Sequence, residues 1–162
     1  LKARGTGGRK ARVDVGDCWD HFVVTYTYPD DVLVDFSSGQ FTYGYDDLCM
    51  RLYCSEGTVD SHYGGEVSVR GKSESWDGGK TNTIYESGAI ANIQKFCDSI
   101  RNNTPIDNTL ESAHSTMTSI LGRMAAYTGN EVSWDEMVGA NEKLDPKLSL
   151  PADGPGETPE RV

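Results

Sequence analysis

The 162-residue sequence lacks several features that would assign it to a class at once. No apolar run approaches the roughly 20 residues that a membrane-spanning helix requires. No Cys-x-x-Cys pair occurs, and the spacing of the four cysteines matches no zinc module. Basic residues are outnumbered, and the formal net charge of -10 repels phosphate backbones and anionic lipid surfaces. We therefore expect neither a nucleic-acid partner nor a membrane partner.

The cysteines Cys18, Cys49, Cys54 and Cys97 show no pairing pattern. Buried free thiols are a better interpretation than disulfides, and free thiols are typical of a reducing compartment. We therefore expect a cytoplasmic protein, although an export signal could precede Leu1. The first residue is Leu1 and not Met, which favours an excised or processed piece of a longer protein.

A nucleotide-binding loop is also missing. Such a loop needs Gly-x-Gly-x-x-Gly between a strand and a helix, so that phosphate meets backbone N–H groups. The nearest candidate, the glycines from Gly5 to Gly8, lacks the third glycine at the required place. The residues that follow, Lys10 to Val15, indicate a strand and not a helix. The basic residues of this region suit a charged edge strand.

The three histidines do not assemble a catalytic site by sequence alone. Asp20 and His21 are adjacent at the start of a strand, where neighbouring side chains point to opposite faces, so we expect no pairing between them. No two histidines have the helical spacing of metal ligands. His62, near a turn, is the most site-like of the three, whereas His114 suits a packing or surface position. We predict no catalytic residue, no cofactor-binding residue and no metal ligand in this chain.

Hydrophobic periodicity divides the chain into two halves. The first half shows the period of two that is typical of half-buried strands. The predicted strands are Phe22–Tyr28, Val32–Phe36, Asp47–Cys54, Thr58–Asp60 and Glu66–Arg70. Short strands joined by tight turns indicate an antiparallel meander.

The second half has helical spacing. A first helix carries Ile90 to Ile100 after a start at Ser87-Gly88, and a second carries Ala113 to Met124 and ends at Gly129. Ser133 to Glu136 form a capping-box pattern that opens a third helix. Strands followed by helices predict an α+β fold, with an open, mostly antiparallel sheet covered by helices on one face. We expect one domain over residues 1–150 and a flexible or strapped-down tail over 151–162.

The densest group of polar and aromatic residues lies between Gly39 and Asp46. Gln40, Thr42, Gly44 and Asp46 alternate with Phe41, Tyr43 and Tyr45. Aromatic rings pack on the C–H surfaces of sugars, and hydroxyl and amide groups exchange hydrogen bonds with sugar hydroxyls. This segment suits a polyol or sugar. The alternative is a sheet face of cross-strand aromatic pairs.

Several segments occur in an order and spacing that resembles the C-terminal domain of Gfo/Idh/MocA oxidoreductases. They are Asp20–Phe22, Thr25–Pro29, Tyr43–Asp46, Cys54–Gly57, Asn92–Ile100 and Tyr127–Met137. The resemblance runs from about Lys2 to Leu150. It implies a C-terminal domain that shapes the substrate pocket and mediates oligomerisation, and hydride transfer at a carbinol carbon of a sugar, inositol or related polyol.

The same resemblance implies that NAD or NADP is bound by an N-terminal Rossmann domain absent from this chain. The family's Glu-Lys-Pro lysine and Asp…His motif would lie outside this chain as well. Its inositol dehydrogenases have a Tyr-Gly-Tyr-Asp-like strand that faces the substrate. Carried over by position, Tyr43 and Tyr45 become substrate-binding candidates, and Gln40 and His62 are further candidates.

These observations lead to a substrate-binding and oligomerisation domain of a sugar or polyol dehydrogenase. The fragment alone would bind no cofactor and would not be an enzyme. A non-catalytic carbohydrate-binding or assembly module, and part of an NAD-dependent glycosidase, are the alternatives. An uncovered sheet face predicts a homo-oligomer, with Val24, Tyr26, Val34 and Phe36 or their alternates at the contact.

Overall fold

The computed structural model describes residues 1–40, 47–81 and 83–145. It contains two open antiparallel sheets and three helices, which confirms the predicted α+β class. The strands are β1 (Lys2–Gly8), β2 (His21–Thr27), β3 (Leu33–Gly39), β4 (Cys49–Tyr53), β5 (Gly57–His62), β6 (Glu66–Gly71), β7 (Ser75–Lys80) and β8 (Val132–Ser133). The helices are α1 (Ile84–Arg101), α2 (Thr109–Thr128) and α3 (Trp134–Ala140).

The strands form two separate four-stranded sheets instead of the single sheet that we expected. The first sheet has the order β3-β2-β1-β8, and the second has the order β4-β5-β6-β7. In the second sheet each strand pairs in antiparallel fashion with the next strand in the chain. Its ladders therefore include no strand of the first sheet.

Contacts along the chain divide it into two compact units. The first unit comprises residues 1–7, 22–37 and the described residues from Thr118 onward, and the second comprises 8–21 and 38–117. In the first unit, Val24 and Tyr26 alternate with more exposed neighbours along β2 and are buried, as the period of two predicts. They lie against α2, where Leu121 is fully buried.

Two glycines permit this close packing. A Cβ added at Gly5 would lie 3.0 Å from Val24 Cγ2 and 3.4 Å from Ala126 Cβ. A Cβ added at Gly122 would overlap the hydroxyl of Tyr26. The strand and the helix therefore approach each other through positions that have no side chain. One face of the first sheet is covered by α2 in this way.

The helices follow the sequence pattern with one correction. The start that we predicted for α1 at Ser87-Gly88 is wrong, because the helix begins at Ile84 and includes Gly88. A helix of 18 residues tolerates one glycine, whose intrinsic cost is only about 1 kcal/mol. The end of α2 before Gly129, which has φ 68°, is confirmed. The capping box of α3 is confirmed too, since Ser133 Oγ accepts from Glu136 N–H at 3.2 Å.

Several strand predictions were wrong. The residues from Lys10 to Val15 form no strand, and β1 lies between β2 and β8 instead of at an edge. The strands β7 and β8 were missed. β8 has only two residues, and β7 contains the consecutive glycines Gly78 and Gly79, a pair typical of turns. Pairing with a neighbouring strand overrides such weak local preferences.

The cysteine interpretation was half right. All four thiols are free, as expected. Cys18, Cys49 and Cys54 are exposed, however, and Cys97 is half-buried, so the prediction of buried thiols is wrong. In the part of the chain that the structure describes, we find no helix with the length and apolarity needed to cross a membrane.

Candidate functional site

The two faces of the second sheet differ in chemistry. Cys49 pairs with His62 and Arg51 pairs with Asp60 across β4 and β5, so these four side chains share one face. The opposite face carries apolar side chains from all four strands: Met50, Leu52, Val59, Val67, Val69 and Trp76. Asp47 precedes β4 and joins the polar face. We call Asp47, Cys49, Arg51, Asp60 and His62 the polar cluster.

His62 is at the centre of the polar cluster. Its Nδ1 lies 2.7 Å from Asp47 Oδ1, and its Nε2 lies 3.3 Å from Asp60 Oδ1. Arg51 approaches the same Asp60 oxygen with Nε at 2.9 Å. That oxygen is shielded from solvent, and its cationic neighbours are at ion-pair distance without forming a well-aligned hydrogen bond. The imidazole is therefore positioned between two carboxylates.

The charges of the polar cluster shift its titrations. The hydrogen bond to Asp47 raises the pKa of His62, and the attraction of both carboxylates outweighs the opposing effect of burial. The negative charge of Asp60 raises the pKa of Arg51. Although Cys49 is exposed, desolvation by its neighbours raises the pKa of its thiol, and Asp47 raises that pKa further. A raised pKa disfavours the thiolate form of Cys49.

A tight turn fixes the backbone of His62. Gly65 N–H donates to the His62 carbonyl at 3.0 Å, and Gly64 adopts φ 74°, a conformation that favours glycine. The hydroxyl of Thr81 lies 3.2 Å from the same carbonyl. A Cβ at Gly65 would lie 2.8 Å from His62 Cβ. The turn through Gly64 and Gly65 thus fixes the position of His62 at the end of β5.

A second histidine is also paired with a carboxylate, contrary to our expectation. His21 Nδ1 lies 2.8 Å from Asp20 Oδ1, although the two residues are adjacent. The alternation argument was wrong here because Asp20 precedes β2, so the extended geometry does not apply to it. The carboxylate of Asp20 is almost completely buried, whereas about a third of the His21 side chain is exposed.

Asp20 organises the loop that precedes it. Its Oδ2 accepts the backbone N–H groups of Lys10, Ala11 and Arg12 at 2.8, 2.8 and 2.9 Å. Burial favours the protonated acid, but these hydrogen bonds together with that of His21 hold the pKa of Asp20 well below its usual range. The residues after β1 therefore wrap around a carboxylate, which explains why no strand forms there.

The predicted substrate-binding residues fall in different places. Tyr43 and Tyr45 lie outside the described residues. Gln40 follows β3 in the first sheet, and its backbone N–H donates to the Asp20 carbonyl at 2.9 Å. His62 ends β5 in the second sheet. The structure thus puts Gln40 and His62 at the ends of strands in different sheets.

Sequence analysis missed the other members of the polar cluster. The signal was present, because Cys49 and Arg51 alternate along β4, as do Asp60 and His62 along β5. A hairpin turn at Ser55 to Gly57, between the two predicted strands, would then bring these pairs together on one face. Unless the pairing register of β4 and β5 is known, the sequence does not indicate that these four polar residues lie together.

Comparisons with protein-family models and with curated proteins find no match. Among solved structures, the chain is similar to a proposed oxidoreductase from Thermotoga maritima, with a TM-score of 0.59 and 21% sequence identity. The match covers 82% of this chain but only 40% of that protein. At this identity the likeness establishes a shared fold. The matched part of this chain therefore spans less than half the length of that structure.

Proposed function

We propose that this chain is the substrate-binding and oligomerisation domain of an NAD(P)-dependent oxidoreductase of the Gfo/Idh/MocA type. Its substrate would be a sugar, inositol or related polyol. Three points support the proposal: the order of the segments that resemble this family, the α+β fold shared with a proposed oxidoreductase, and the share of that larger protein that the chain covers.

The observation that carries the substrate class is the polar cluster. Its imidazole, carboxylates and guanidinium offer both donors and acceptors within a few ångströms of one another, which suits a ligand with several adjacent hydroxyl groups. Asp47 follows in the sequence directly after the segment that contains Tyr43 and Tyr45. Aromatic rings from that segment would add apolar contact to the C–H surface of the same ligand.

The glycine-rich segment of β1 does not fit a nicotinamide cofactor. Gly5, Gly7 and Gly8 belong to β1, where their backbone groups serve the sheet, and no helix begins after them. We therefore place cofactor binding outside this chain. The role of this chain is to bind the polyol and to orient one carbinol carbon, which contributes to catalysis by positioning the reactant.

Ligand binding can be tested on the 162-residue chain by NMR chemical-shift titration with myo-inositol and with glucose. We expect saturable shifts of the His62 ring protons. Tyr43→Phe, Tyr45→Phe and His62→Gln should each weaken binding about fivefold to tenfold, because each removes about one hydrogen bond of roughly 1 kcal/mol.

Tyr53→Phe is the matched control. Tyr53 shares the face of Cys49 and Arg51 but lies at the other end of β4, so its loss should leave the titration unchanged. No saturable shift with either polyol would overturn the substrate class. Binding of NAD(H) by the chain alone would overturn the division of roles.

The oligomerisation proposal needs a corrected surface. Val24 and Tyr26 are buried within the first unit and are not available to a partner. Thr25 hydrogen-bonds to Asp35 at 2.9 Å, so these two side chains share one face of the first sheet. Val23 and Leu33 lie two positions away along the same strands and share that face, which is opposite to the face of Val24 and Tyr26. Val23 is 52% exposed and Leu33 is 65% exposed.

We infer that a second copy covers this face. Sedimentation velocity should show a dimer or larger species that dissociates in Leu33→Lys. A monomeric wild-type chain at high concentration would contradict the inference.

A further inference from the structure

We propose that Asp47, Cys49 and His62 form a binding site for a divalent transition-metal ion of the Zn²⁺ type. Each residue offers one ligand atom, and the three atoms all lie within 4.8 Å of one another. Carboxylate oxygen, thiolate sulfur and imidazole nitrogen are the donors that zinc uses in proteins. The polar cluster, which we propose as a polyol contact, thus also contains the donor set of a metal site.

The geometry needs only small side-chain movements. In a tetrahedral zinc site the ligand atoms lie about 3.3–3.8 Å apart, given metal–ligand distances of about 2.0–2.3 Å. Asp47 Oδ1 and His62 Nδ1 are now 2.7 Å apart, so they would separate by about half an ångström. Cys49 pairs directly with His62 across β4 and β5, and rotation of its short side chain would bring the sulfur closer. The Asp47–His62 hydrogen bond is replaced when a cation enters between them.

Asp60 supports the same assignment from the far side of the imidazole. A metal-binding histidine commonly presents its other ring nitrogen to a carboxylate, which fixes the tautomer and the ring orientation. His62 approaches this arrangement, because Nδ1 faces Asp47 while Nε2 lies at ion-pair distance, 3.3 Å, from Asp60 Oδ1 and 3.5 Å from Arg51 Nη2. Arg51 in turn holds Asp60 through the 2.9 Å contact. Asp60 is therefore a positioning residue and not a ligand.

Charge also favours a divalent cation. With the Cys49 thiol ionised, the polar cluster contains three anionic groups and one guanidinium, and a divalent ion brings it to neutrality. Binding releases the thiol proton of Cys49 and, where His62 is protonated, the imidazolium proton as well. Three protein ligands leave a fourth position for water or another oxygen ligand.

The test uses the full chain, freed of metal with a chelator and titrated with Co²⁺, which reports on thiolate ligation by its absorption. We expect a sulfur-to-cobalt charge-transfer band that saturates at one Co²⁺ per chain. Zn²⁺ should displace the Co²⁺ and abolish the band, because zinc binds such sites more tightly. This measurement requires neither a polyol nor a nicotinamide cofactor, so its outcome is independent of the proposed function.

Variants locate the site. Cys49→Ser should abolish the band, and Cys54→Ser should retain it, since Cys54 is another exposed thiol just beyond the end of β4. Asp60→Asn should weaken Co²⁺ binding about tenfold to a hundredfold, as the loss of an outer carboxylate does at zinc sites. Circular dichroism verifies that each variant is folded. If Cys49→Ser does not fold, Asp47→Asn serves in its place, with a loss larger than that of Asp60→Asn.

Two results would overturn the proposal. The first is the absence of any charge-transfer band in the wild-type chain at millimolar Co²⁺. The second is a band that Cys54→Ser removes and Cys49→Ser leaves intact, which would place the metal elsewhere.

Discussion

The first unit and the second sheet differ in what stabilises them. All seven buried apolar side chains of the described residues belong to the first unit: Ala3, Val24, Tyr26, Leu121, Ala125, Ala126 and Met137. The second sheet, from β4 to β7, has no buried residue. Its strands are joined by main-chain ladders, and its two faces carry unlike side chains. Hydrophobic burial therefore stabilises the first unit, whereas the second sheet exposes the polar cluster on one face and apolar side chains on the other.

The largest test of this comparison is the loss of a core side chain. Leu121→Ala should lower the free energy of unfolding by about 2–5 kcal/mol, because Leu121 is fully buried and its removal leaves a cavity. Val59→Ala, in the half-buried strand β5 of the second sheet, should cost about 1 kcal/mol or less. Urea denaturation followed by circular dichroism measures both. Equal losses would show that the second sheet is a core in its own right.

The glycine positions give a smaller and more local test. Gly122→Ala should destabilise the chain by about 1–3 kcal/mol, since the new methyl group overlaps the Tyr26 hydroxyl. Gly88→Ala is the matched control in α1, where the nearest atom to an added Cβ is 4.0 Å away. It should stabilise the chain by about 0.5–1 kcal/mol, because alanine costs less entropy in a helix. Thermal denaturation of both variants should show shifts of opposite sign.

The cap of α3 tests whether a local sequence signal contributes to the first unit. Ser133→Ala removes the capping hydroxyl and should cost about 1 kcal/mol. Ser133→Gly should cost only a few tenths of a kcal/mol, because glycine is itself a good N-cap residue. If urea denaturation shows the same stability for Ser133→Ala and the wild type, packing of Met137 alone holds the helix in place.

The smallest expected effect is a shift in the pKa of His62 in the second sheet. It is measured in protein freed of metal with a chelator. His62 has a raised pKa, so the Asp47–His62 pair stabilises the fold at low pH, and this stabilisation is lost as the pH rises through the raised pKa. Asp47→Asn should move the His62 titration to lower pH. NMR titration of the His62 ring protons measures this shift. An unchanged titration would show that Asp47 does not contact His62 in solution.

Much of the first unit could be predicted because its signals are local. The alternation in β2, the glycine after α2 and the capping box of α3 each involve residues within a few positions of one another. The short strand β8 could not be predicted in this way. Its two residues become a strand only because Val132 pairs with Ala3, far away in the sequence.

The candidate site was less predictable than the fold. His62 was identified from its place near a turn, but its partners Asp47 and Asp60 are set by the register of β4 and β5. A slip of one residue in that register would move Asp60 and His62 to the apolar face. The roles assigned to Tyr43 and Tyr45 lie outside the described residues and stay predictions.

The sequence by itself determined the α+β class, the end of α2, the start of α3 and the acidic charge, because periodicity, capping and composition are properties of neighbouring residues or of the whole chain. Only the tertiary structure decided that the strands form two sheets, that Asp20 binds a loop and His21, and that a histidine lies between two carboxylates. These arrangements depend on pairing between distant strands and on burial. Neither is encoded in any short segment of the chain.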